Sequence, residues 1–171
     1  CGIFCVGMKK DYSSENNDNQ LGKNLVDATH LIARLSERRG REASGFFYHA
    51  LGQNRVFASS QPVAEVLKDS NYLQFCKTAE NKIAEFDGKK IAVTSMGHAR
   101  LVTSGDQAIA ENNQPLVGNR FAIVHNGIII DYATEFQRLD LKQELQVDSE
   151  VVLKLFEKEY SKSGDYKKAA C

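Results

Sequence analysis

Cys1-Gly2-Ile3-Phe4-Cys5-Val6-Gly7-Met8 opens the chain. The run is apolar and partly β-branched, and the polar stretch 9–20 follows it, so it reads as a buried strand leaving for a surface loop. Its first residue is then anchored in a sheet. In residues 22–38 the apolar Leu25, Ile32 and Leu35, with Ala28 between them, recur at helical spacing, and Gly40 ends the helix. Residues 46–50 and 55–59 flank Leu51-Gly52-Gln53-Asn54 and predict a hairpin. Pro62 opens a short helix through Leu67, and residues 72–86 show weaker helical periodicity that stops at Asp87-Gly88. Residues 90–95 are a strand candidate, 97–115 a long polar loop of the kind that is usually functional, and 120–125 a further strand. One or two helical turns follow over 132–139. Asp148 stands where a helix N-cap belongs, ahead of Val151, Val152, Leu155 and Phe156. Strands that lead, helices that follow and hairpins between them suggest an α+β protein with largely antiparallel sheet.

The chain of 171 residues carries 22 Lys plus Arg against 22 Asp plus Glu, 42% hydrophobic and 26% charged residues. That length buries a real core within one domain, without disulfides or a metal as staples. The charge balance argues against nucleic acid or an anionic membrane as partner, since phosphate binding needs a clustered positive field. No apolar run approaches a membrane span. Cys1, Cys5, Cys76 and Cys171 form no C-x-x-C pair and sit beside no His cluster, so zinc is not expected. The expected compartment is reducing and cytoplasmic, with no secretory leader.

Cys1 is the residue richest in chemistry, because a terminal cysteine carries a thiol and an α-amino group on one carbon skeleton. An α-amino group titrates at about 7.7–8.0 in model peptides, so near neutrality part of it is free to accept the thiol proton. Nucleophile and base then come in one residue, and no separate catalytic His is needed. On position alone, a terminal Cys is more often an accident of processing.

Six ordered blocks argue otherwise: Cys1-Gly2-Ile3; Arg39-Gly40-Arg41-Glu42-Ala43-Ser44-Gly45; Gly97-His98-Ala99-Arg100-Leu101-Val102-Thr103-Ser104-Gly105; Gln114-Pro115; His125-Asn126-Gly127-Ile128-Ile129; and Asp148-Ser149-Glu150. In this order they resemble the class II glutamine amidotransferases, the N-terminal-nucleophile glutaminases, from the first residue to about Tyr160. The nearest look-alikes are the glutaminase domains of glucosamine-6-phosphate synthase and amidophosphoribosyltransferase. The resemblance implies a four-layer αββα sandwich of antiparallel sheets spanning 1–171 and truncated at its C-terminal end. It implies hydrolysis of the side-chain amide of L-glutamine through a Cys1 thioester, giving glutamate and ammonia. It implies no cofactor and no metal, and an ammonia-accepting synthase domain or subunit as partner, with oligomer formation left open.

The same resemblance assigns roles. Asn126 and Gly127 form the oxyanion hole, for which a side-chain amide and a glycine N–H are the right chemistry, although Asn-Gly alone reads as a turn. Arg100, beside Thr103, grips the substrate α-carboxylate; Asp148 holds the α-ammonium; Arg39 steadies the site next to Cys1. His98 and His125 are expected to be packed or hydrogen-bonded structural residues, and Cys5 a small core residue on the face of Cys1. Leu101 and Ser104 stand where the sugar-phosphate branch carries an aromatic residue and a His, which leaves the branch open. A catalytically idle glutamine-binding module and an amidase for another amide are the alternatives.

Overall fold

The computed structural model describes residues 1–11, 20–86, 90–102 and 105–170. Strand β1 (Gly2–Asp11) leads, followed by helix α1 (Leu21–Ser36), a 3-10 turn Glu37–Arg39, and strands β2 (Ala43–Ala50) and β3 (Gln53–Ser59). Leu51 and Gly52 make the hairpin turn with φ of 54° and 71°, the left-handed pair that matches strand twist. Helices α2 (Val63–Val66) and α3 (Ser70–Ala84) come next; Asp69 caps α3 by accepting from Asn71 and Tyr72 N–H at 2.7 and 3.0 Å.

Strand β4 (Lys90–Arg100) returns through the middle of the sheet, giving the order β1-β4-β2-β3 with every pairing antiparallel. The polar loop expected from Gly97 therefore begins only after Arg100. His98 and Arg100 read as loop residues because they are polar, yet they are central strand residues buried for the sake of a site.

Alternation along the strands sorts the two faces. Phe4, Phe46, Tyr48, Val93 and Ala99 point to α1 and α3 and build the main core with Leu25, Val26, Tyr72 and Phe75. Its rings interlock, Phe4 on Phe46 at 5.7 Å and Phe46 on Tyr72 at 4.6 Å between centroids. The buried stripe of α1 is Leu21, Gly22, Leu25, Val26, Thr29 and Ala33. Leu35, expected on that stripe, is 57% exposed, because about 100° per residue carries it well away from Leu25 and Thr29.

The opposite face carries Ile3, Gly45 and His98 in register and receives the second half of the chain. There β5 (Leu116–Val117) pairs with β6 (Ala122–Ile123), so the strand expected over 120–125 is only two residues long. Helices α4 (Tyr132–Arg138), α5 (Glu150–Ser163) and α6 (Tyr166–Ala169) follow. Leu116, Val147 and Leu153 form a second small core with Phe121 and Ile123 against them. The two halves meet tightly at Gly45, where any Cβ would collide with the carbonyl of Gln114. Cys5 is exposed on this face and is not the core residue expected. The protein is thus a mixed α/β structure with antiparallel sheets of four and two strands among the described residues. No helix among them is long and apolar enough to cross a membrane.

Candidate active site

Pairing of Gly2 with Ala99 brings the first residue beside the end of β4. The Cys1 thiol lies between the Leu101 carbonyl, which accepts from Sγ at 3.2 Å, and the Leu101 N–H, which donates to it at 3.3 Å. The two contacts fix where the sulfur sits. The Cys1 carbonyl accepts from Arg39 Nε at 3.0 Å and from Asn126 Nδ2 at 3.1 Å. Arg39 reaches it from the 3-10 turn that ends α1. Gly40 lets the chain pass there, since a side chain would strike the backbone of Ala99 and Arg100.

Two charges of opposite sign stand deep in the same pocket. Arg100 is 5% exposed, donating to Asn113 Oδ1 at 2.6 Å and to the Gly105 carbonyl at 3.2 Å. Burial pulls its guanidinium below the ordinary value, and Glu42, Asp106 and Asp148 oppose that pull. Asp148 accepts from Ile129 N–H at 2.6 Å, and from the N–H and hydroxyl of Ser149 at 2.9 and 3.3 Å. It is not the helix cap expected: Ser149 is the N-cap of α5, and the Asp148 carboxylate turns instead to the chain after Gly127.

Amide side chains tie these parts together. Gln114 donates to Ser149 Oγ at 3.1 Å and accepts from His125 N–H at 2.5 Å, while His125 Nδ1 meets the same Oγ at 3.0 Å. Asn113 Nδ2 holds the Gln107 carbonyl at 2.8 Å, and Asn112 exchanges hydrogen bonds with Gln146 at 3.1 and 3.0 Å. Glu42 accepts from Val102 N–H and donates its own N–H to the Arg100 carbonyl, which fixes the chain just after Arg100. The result is a cavity of about 20 Å³ bounded by Cys1, His98, Arg100, Gln114, Gly127 and Asp148.

Of the residues singled out in the sequence, Cys1, Arg39, Arg100, Asn126, Gly127 and Asp148 therefore converge here. Thr103 and Ser104 lie outside the described residues. His125 is hydrogen-bonded as expected; His98 is packed, 2% exposed, and neither ring nitrogen has a partner. Asn112, Asn113 and the Leu101 backbone belong to the site without standing out as candidates in the sequence. The consecutive amides 112–114 before Pro115 were a usable signal, since buried amides at one place imply a polar network. A backbone N–H leaves no sequence signature.

Residues 98–166 match the model of a family described as the glutamine amidotransferase domain. The chain is 30% identical over 135 residues to a glutamine–fructose-6-phosphate aminotransferase (isomerizing) from Encephalitozoon cuniculi, covering 77% of this chain and 17% of that protein. It is 33% identical over 136 residues to the protein of the same name from Helicobacter pylori, covering 78% of this chain and 20% of that one. The chain spans about a fifth of the length of these relatives.

Proposed function

We infer, from the match of residues 98–166 to the glutamine amidotransferase domain family, that the chain is a class II glutaminase domain extending over residues 1–171. With Cys1 as the terminal residue, its α-amino group takes the thiol proton and Sγ attacks the side-chain amide carbon of glutamine. The carbonyl oxygen becomes an oxyanion received by the Asn126 side-chain amide and the Gly127 N–H. The amine returns the proton to nitrogen, ammonia leaves, and water cleaves the γ-glutamyl thioester to glutamate and the free thiol. Arg100 and Asp148 read the substrate α-carboxylate and α-ammonium, with Thr103 assisting, and Arg39 steadies the Cys1 carbonyl. The finer architecture that goes with this reading is the four-layer αββα sandwich. Ammonia passes to an acceptor on a synthase domain or subunit, in a cytoplasmic setting. The relatives' name pairs glutamine with a sugar phosphate; for this chain only glutamine is proposed, as the ammonia donor.

The observation that carries the reading is the convergence of Cys1 and the buried Arg100 and Asp148 on one small cavity, with the Asn126 amide on the Cys1 carbonyl. A glutamine analogue bearing an electrophilic γ-carbon tests it. Such an analogue should label Cys1 and block glutamate release from glutamine, with free glutamine protecting. Labelling absent from a folded protein points to an idle binding module; equal turnover of amides lacking the α-amino-acid end points to another amidase.

A further inference from the structure

Asn112, Gln114, Ser149 and His98 are buried polar side chains on the cavity wall that the chemistry above does not use, and of these four only His98 has no hydrogen-bond partner. It sits on β4 with Ile3 and Gly45 as its register partners, so period-two alternation turns it to the face of Cys1 and Arg100. It is 2% exposed, bounds the same cavity as Cys1, and both ring nitrogens lack a hydrogen-bond partner. A buried imidazole with two orphaned nitrogens is costly unless something in the cavity satisfies it. About 20 Å³ is enough for one water, and the walls are polar. Cys1 from the end of β1, Arg100 on its own strand and His125 from the chain after β6 bound the same cavity as the ring. Asp148 is the acidic group on the cavity wall, and Glu42 lies near Arg100. Burial, then the Cys1 amino group, Arg100 and His125, hold the ring down at about 4, so it is neutral at neutral pH with one donor and one acceptor nitrogen.

We propose that His98 is a positioning residue for the nucleophile, its imidazole holding the Cys1 α-amino group, through one cavity water, turned toward Sγ. The inference rests on the glutaminase reading, since only there does the amine act as base. The ring exchanges no proton with substrate; it fixes where the amine lone pair points. A misplaced base costs rate and leaves the amino-acid clamp intact.

The test uses the full chain in a Cys5→Ser background, so that alkylation by iodoacetamide at the N-terminal peptide reports Cys1 alone. His98→Leu should lower kcat for glutamate release by about 10-fold or more with KM for glutamine within about twofold. It should also shift the pH midpoint of Cys1 alkylation, measured from about pH 5 to pH 9, by about half a unit or more. His98→Gln, which restores a donor and an acceptor at similar reach, should recover most of both losses. An unchanged kcat and alkylation profile in folded His98→Leu overturns the proposal, as does a change confined to KM or failure of His98→Gln to rescue. Alkylation needs no glutamine turnover, so an inactive wild-type protein with a His98-dependent profile sinks the glutaminase reading and not the coupling of His98 to Cys1.

Discussion

Acidification should weaken the fold through His98 before the carboxylates titrate. The ring sits at about 4 in the folded protein against about 6.5 in an unfolded chain. The unfolded state therefore binds more protons between those values, and stability must rise with pH across that window. The contribution is fully present above the unfolded value and is lost as pH falls toward the folded one. Going from pH 7 to pH 4.5, the linkage integral for these two values is about 2 kcal/mol. At 2% exposure the ring is little screened by bulk solvent. His30 is lowered in the same direction by its own burial, so total acid sensitivity is not the test; the difference between proteins is. Wild-type protein and His98→Gln should be unfolded in urea at both pH values and followed by circular dichroism. The wild type should lose about 2 kcal/mol more than the variant over this range. Parallel losses agreeing within about 0.5 kcal/mol would refute the assignment of a buried, neutral imidazole.

Three further outcomes follow from the geometry. Arg100→Ala should raise KM for glutamine about 10-fold or more in steady-state kinetics, because charge-assisted hydrogen bonds of about 1.5–3 kcal/mol are lost. Asn126→Ala should keep its glutamine affinity but lose about 100-fold or more in kcat, the size seen when one oxyanion donor is removed. Gly45→Ala should destabilise the protein by about 1–3 kcal/mol in denaturant melts, since its Cβ has to push away the Gln114 carbonyl that docks the second half of the chain.

Much of the first half was legible because its signals are local. The strand after Cys1, the hairpin around Leu51-Gly52 and the helix before Gly40 each follow from periodicity and turn chemistry. Residues that serve the site and not the core carry no such local signal. Gly97-His98-Ala99-Arg100 looked like loop because hydropathy does not distinguish a polar residue in water from one buried on a central strand. Cys5 was misplaced because alternation gives the face and not what covers it. The site residues were legible as ordered motifs, but their adjacency depends on β1 pairing with β4 across nearly a hundred residues. Asp148 shows a third kind of miss: its sequence context suits a cap, and only the fold reveals that Ile129 N–H competes for the carboxylate. The grip of Leu101 on the thiol comes from backbone, where side-chain identity is silent.

Cys1 acts as nucleophile and base together only if its amine is free, so glutamate release should be measured on a protein whose Cys1 thiol is intact and whose α-amino group is blocked, by acetylation or by one uncleaved preceding residue. Folding is checked by circular dichroism and the block by mass. Hydrolysis of glutamine should be abolished, because the thiol has lost its base. Substantial glutaminase activity in the folded, verified blocked protein would contradict it.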